Sequence, residues 1–206
     1  MSSSDLKMND DNTEVMLITP KHLAENITCP NLVVDDHEVP PSSCVSNLGM
    51  TIDSQASMIQ HVNKVCKAAY MHLYNISRIK AYLDKSSLER IVHAFITSKL
   101  DYGNALLCGY PTTLLQRLQR VQNAAARTIT GHNKYHHVSP VLKQLHWLPV
   151  EQRIKYKVAL LVFKAKNKLG PVYLQELITP YTPTRSLCSG SQELLCVPST
   201  KSSLVN

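Results

Sequence analysis

The sequence predicts an α+β chain that is mostly helical, a small N-terminal antiparallel β segment followed by a helical bundle. Three observations predict it. Up to residue 53 the apolar residues come in short runs bounded by Pro, Asn and Asp; from Ser54 they recur at spacings of three and four; from Thr179 the chain turns to Pro, Ser and Thr. These changes of pattern set three segments, 1–53, 54–179 and a Pro/Ser-rich tail over 180–206.

In the first segment, Glu14-Val15-Met16-Leu17-Ile18 reads as a strand stopped by Pro20. Asn31-Leu32-Val33-Val34 and Glu38-Val39 flank the turn-prone Asp35-Asp36-His37 and read as a hairpin. Cys44 to Ile52 reads as a third strand, with Val45, Asn47 and Gly49 on one face and Leu48, Met50 and Ile52 on the other. Three short strands bury little by themselves and leave exposed edges, so this sheet is expected to complete something larger.

Met58, Val62, Val65, Ala69, Leu73 and Ile76 fall on one face of a helix of about 25 residues. Ser86-Ser87-Leu88-Glu89 reads as a capping box opening a second helix, whose apolar face is Leu88, Ile91, Val92, Phe95, Ile96 and Leu100. Asp101-Tyr102-Gly103-Asn104 and Gly109-Tyr110-Pro111 interrupt the pattern. A third helix from Thr112 or Thr113 carries Leu114, Leu115, Leu118, Val121, Ala125 and Ile129 inward. Its other side presents Arg117, Arg120 and Arg127 beside Gln116, Gln119, Gln122 and Asn123. A short helix follows from Pro140 to about His146. The last long one, from Val150 to Leu169, has a core face of Ile154, Val158, Leu161 and Ala165 and a nearby basic face of Arg153, Lys157, Lys164 and Lys168. Gly170-Pro171 ends it, and one short helix remains at Tyr173–Ile178.

The 206 residues carry a net charge of +7, unevenly: −7 over residues 1–60 and +14 over 61–206. Residues 102–150 contain no Asp or Glu at all, although about a quarter of average residues are charged. Guanidinium groups pair bidentately with phosphates, so the Arg117, Arg120 and Arg127 stripe points to a nucleic-acid backbone. The six cysteines form no C-x-x-C pair and read as reduced thiols, with Cys66 and Cys108 in apolar stretches. His132, His136, His137 and His146 have no cysteine within twenty residues, so surface histidines fit better than a zinc site. Asp10-Asp11 and Asp35-Asp36 sit among turn residues and read as solvated carboxylates, not as a two-metal site. No apolar run reaches the about 20 residues of a membrane helix, and the first residues are unlike a signal peptide, so an intracellular place, cytoplasmic or nuclear, is expected.

Five strings occur in order: residues 9–18 (Asn9-Asp10-Asp11-Asn12-Thr13-Glu14 and onward), Asn47-Leu48-Gly49-Met50-Thr51-Ile52-Asp53, Lys99-Leu100-Asp101-Tyr102-Gly103-Asn104-Ala105-Leu106-Leu107, residues 118–127 (Leu118-Gln119-Arg120 to Arg127), and Leu145-His146-Trp147-Leu148-Pro149-Val150. With them the chain resembles, over about residues 5–198, the C-terminal part of a non-LTR (LINE-type, jockey-like) retrotransposon reverse transcriptase, an RNA-directed DNA polymerase.

The resemblance implies that residues 1–53 are the end of the palm, with a helical thumb and its extension after it. It implies that Asn47, Leu48 and Gly49 approach the primer terminus, and that Arg117, Arg120, Arg127, Arg153, Lys157 and Lys164 grip an RNA or RNA–DNA duplex backbone. It implies magnesium only for the catalytic part, whose Tyr-x-Asp-Asp or Ala-Asp-Asp string this sequence does not carry; the chain itself binds no cofactor, takes no small-molecule substrate and meets no membrane. Asn12 stands where the family usually has the Lys proposed to protonate pyrophosphate, and Asn is no acid. Tyr110 replaces the usual Leu before Pro111. The expected function is therefore duplex binding by a non-catalytic part of a polymerase; a nucleic-acid-binding module derived from the element, or a decayed reading frame, are the alternatives.

Overall fold

The structure, a computed structural model, describes residues 13–20, 23, 27, 31–34, 37–133, 135–181 and 194–196. The protein is α+β and mostly helical, with two small antiparallel sheets ahead of the helices. It forms two compact units, residues 1–153 and 154–206.

In the first unit, β1 (Leu32–Val34) pairs with β2 (His37–Val39) as the sequence predicts, with Leu32 opposite Val39. Two strand expectations are corrected. Residues 14–18 form no strand; Val15 makes a single parallel bridge to Pro41, because Ser42 N–H donates to the Val15 carbonyl at 2.7 Å and the ladder goes no further. Cys44 to Ile52 is not one strand but a hairpin, β3 (Cys44–Asn47) and β4 (Met50–Asp53), with Asn47 opposite Met50. Leu48 and Gly49 between them take φ of 47° and 77°, the left-handed pair that a two-residue hairpin turn requires. Alternation cannot distinguish nine extended residues from two strands folded at a tight turn. Asp10, Asp11, Asn12, Asp35 and Asp36 lie outside the described residues.

β4 packs its buried residues Met50, Thr51 and Asp53 toward α1 (Ile59–Ile79), and the Thr51 N–H donates to Nδ1 of buried His61 at 3.3 Å. The link into α1 is held by Asp53. Its Oδ1 accepts from the Gln55 and Ser57 N–H groups at 3.1 and 2.8 Å, and its Oδ2 from the Ser57 hydroxyl at 2.7 Å. The predicted face of α1 is the buried one: Met58 precedes it, and Val62, Ala69, Leu73 and Ile76 line it.

The second helix opens two residues earlier than the capping box suggests. Its N-cap is Asp84, whose carboxylate accepts from the Ser87 N–H at 3.1 Å, and α2 is Lys85–Val92. A π turn at His93–Thr97 leads into α3 (Ser98–Asp101), so Leu88, Val92, Ile96 and Leu100 reach the core while Phe95 stays exposed. After a 3-10 turn over Asn104–Leu107, Cys108 is exposed and Gly109 takes φ 83°. α4 (Thr112–Thr130) packs its predicted apolar face against α1 and α2 and ends at Gly131. α5 (Val138–Gln144) packs on α4.

The second unit holds most of α6 (Val150–Lys166) and α7 (Val172–Glu176). Ile154 and Ala165 are buried and Val158 is half-buried, but Leu161, expected in the core face, is exposed.

Candidate nucleic-acid interface

α1 and α4 lie side by side, and their outward faces meet in one surface. Arg117 Nη1 donates to Asn63 Oδ1 at 2.7 Å. One turn on, Cys66 is half-buried; burial pushes its thiol up and the nearby Arg117 charge draws it partly back. Tyr70 comes next, its phenol pushed up by burial and by Cys66, with Arg120 acting against both. On α1 the residues Asn63, Lys67, Tyr70 and Tyr74 are spaced by four, three and four, a single outward stripe, and all four are exposed. Neither α1 nor α4 contains an Asp or Glu, and the acid-free stretches in which they lie span residues 54–83 and 102–150. Opposed cationic side chains without carboxylates leave a positive surface that an anion must neutralise.

The other predicted contacts fare differently. Arg120 is exposed on this surface. Arg127 is half-buried; its Nη2 donates to the His136 carbonyl at 3.2 Å and its Nε is buried without a hydrogen bond, so it ties the loop after α4 down. Arg153 makes an ion pair with Asp101 at 3.0 Å, joining the start of α6 to the end of α3. Lys157 and Lys164 are exposed on α6 in the second unit. Gln119, Gln122 and Asn123 beside the Arg stripe are structural, while Gln116 is exposed. Gln119 Nε2 donates to Gln122 Oε1 at 2.9 Å and to Asn123 Oδ1 at 2.7 Å, freeing Gln122 Nε2 to donate to the Leu148 carbonyl at 2.8 Å. Gln119 Oε1 accepts from the Val150 N–H at 2.8 Å, which caps the first turn of α6 from another helix.

Asn47, Leu48 and Gly49 are exposed at the tip of the β3–β4 hairpin, beside a cleft of about 470 Å³ between the turn, α1 and α3. Tyr102 holds the turn, its hydroxyl donating to the Leu48 carbonyl at 2.5 Å. Lys64 and Lys99 line the cleft with His61, and no carboxylate is among its described lining residues. Lys64 Nζ lies 3.5 Å from Thr51 Oγ1. Burial and the Lys64 charge both push the His61 imidazole below its ordinary range, so it is neutral and accepts from Thr51. The chemistry available here is charge attraction and hydrogen bonding to an anion by two amines on a rigid frame.

Lys64 and Lys99 are the residues that sequence reasoning missed. Each sits in a different helix, 35 positions apart, and no spacing rule links them. Lys67, Tyr70 and Tyr74 had a usable signal in the absence of acid from residues 54–83. Among the described residues no three or more His, Cys, Asp or Glu converge as metal ligands, and His132 and His136 meet only as rings 5.2 Å apart. No helix among them is long and apolar enough to cross a membrane. Compared with protein families, with curated proteins and with solved structures, the chain matches none.

Proposed function

We propose that this chain is a nucleic-acid-gripping part of a non-LTR retrotransposon reverse transcriptase, holding RNA or an RNA–DNA duplex by its backbone and leaving the phosphoryl-transfer chemistry to carboxylates outside this sequence. The observation that carries the proposal is the acid-free α1–α4 surface, on which Arg117 and Arg120 stand exposed. The likeness of the five ordered strings supports the family reading, and the surface supports backbone contact as its mode. Arg and Lys aligned along a groove neutralise phosphates and release counterions, which binds without reading sequence. The turn at Leu48 and Gly49, with Lys64 and Lys99 behind it, would approach the end of the bound strand.

Salt dependence tests the proposal. Binding of a labelled RNA–DNA duplex should weaken steeply between about 50 and 200 mM salt, with a log–log slope of about −0.9 for each phosphate contact. Arg117→Ala with Arg120→Ala should flatten that slope by about two contacts. A flat slope in the unaltered chain, or binding of neither duplex nor single-stranded RNA at low salt, defeats the proposal. With primer–template, magnesium and nucleotides, the chain alone is expected to extend no primer; extension above a buffer blank would overturn its non-catalytic role.

A further inference from the structure

The α1–α4 surface is more than a basic stripe, because two aromatic rings stand in it. Tyr70 and Tyr74 are 45% and 64% exposed, one turn apart on the helix that faces Arg117 and Arg120. A large apolar ring left in water is a cost unless something covers it. A duplex offers these rings nothing, since its base faces are stacked on one another and hidden. The spacing speaks to the same point. Residues four apart on a helix are about 6 Å apart along its axis. That is nearly twice the rise of about 3.4 Å between bases in one strand of a duplex, so two bases resting on the two rings have left each other's stack.

Charge decides what kind of partner covers the rings. Lys67 accompanies them on α1, Arg120 lies beside Tyr70, Arg117 bonds Asn63 at the start of the same stripe, and neither helix carries a carboxylate. A surface of interleaved tyrosines and cations without acid is complementary to a strand with phosphates on one side and free aromatic faces on the other. We infer that this surface takes an unpaired nucleic-acid segment, with Tyr70 and Tyr74 stacking successive bases while Lys67, Arg117 and Arg120 follow its phosphates. The inference rests on the nucleic-acid reading above and names the form of nucleic acid this surface selects.

The test compares a labelled oligouridylate with a blunt RNA–DNA duplex of equal length, using the full chain at low salt. The oligouridylate should bind more tightly. Tyr70→Ala with Tyr74→Ala should weaken it by about five- to a hundredfold for each lost ring, and leave duplex binding unchanged. Tyr70→Phe with Tyr74→Phe keeps both rings and should bind as the unaltered chain does, which separates stacking from any change in the fold. Duplex binding as tight as single-strand binding, or alanine variants that hold oligouridylate unchanged, overturns the inference. In that event a steep duplex salt slope still supports backbone binding, whereas a protein that binds neither probe defeats both.

Discussion

The Tyr102 hydroxyl donates to the Leu48 carbonyl across 2.5 Å, joining two residues 54 positions apart. It fastens a left-handed turn to the end of α3 and so fixes one wall of the cleft that Lys64 and Lys99 line. Tyr102→Phe keeps the ring and removes the bond. Because the site is exposed, the expected loss of stability is small, about 0.5–1 kcal/mol. The larger effect should be local: faster hydrogen exchange at the Asn47 and Met50 amides, whose residues pair across the turn, with helix amides unchanged. Equal exchange in both proteins would mean that the sheet pairing alone holds the turn.

Gly103 has φ 62°, and a Cβ there would lie 2.6 Å from Met50 Sδ and 2.9 Å from its Cε. Gly103→Ala therefore meets both backbone strain and a buried side chain, and should cost about 1–3 kcal/mol in urea unfolding. Adding Met50→Ala should remove the steric part only, giving a double-mutant cycle that departs from additivity. Additive costs would place the whole effect in the backbone.

Gln122 is 1% exposed and its amide serves the Leu148 carbonyl. Gln122→Leu fills the space but orphans that carbonyl and one donor bond of Gln119, so about 1–3 kcal/mol of stability should be lost. Thermal unfolding measures it; a variant as stable as the parent would mean water reaches the orphaned groups.

Two groups set the response to acid. His61 has its folded pKa below the ordinary value because burial, and then the Lys64 charge, disfavour the imidazolium. The unfolded chain therefore binds the proton first, and stability falls as pH drops below about 6.5 toward the folded value. Burial works to raise Asp53, but the combined hydrogen bonds of Ser57 and Gln55 outweigh it and hold the carboxyl below its ordinary range. The stability it contributes is present above about pH 3.9 and is lost as pH falls through its folded value. Acid unfolding should accordingly show two falls, and His61→Gln should abolish the earlier one while retaining the later. An unchanged profile between about pH 6.5 and 5 would exclude His61 as its source.

Lys64→Ala and Lys99→Ala together should weaken duplex binding and reduce the salt slope by about two contacts, with only a small change in unfolding midpoint, since both side chains are exposed and Lys64 makes only a long contact to Thr51. A slope equal to the parent's would leave the cleft without a part in the grip.

The helices and their buried faces were legible because a 3.6-residue period marks them directly: Val62, Ala69, Leu73 and Ile76 in α1, and Leu114, Leu118, Val121 and Ala125 in α4, are core where the spacing put them. The β1–β2 hairpin was legible from its turn residues. The hairpin at Leu48 and Gly49 was not, because alternation continues through a two-residue turn. Asp84 caps α2 in place of Ser86 because the helix starts at Lys85, which puts Ser86 inside the first turn and the Asp84 carboxylate within reach of the Ser87 amide.

The sequence by itself determined the helical register, the core faces and the acid-free basic stretches, since these are local periodicities and counts. Which cations face outward was decided only by tertiary packing. Arg117, Arg120 and Arg127 share a stripe by spacing, yet the loop after α4 takes Arg127 through the His136 carbonyl and leaves the other two on the surface. Gln119 and Gln122, polar by sequence, were drawn inside because the start of α6 needed a partner for its first amide and for the Leu148 carbonyl. Packing two helices against each other brought Tyr70 beside Arg120, a pairing that no spacing within either helix contains.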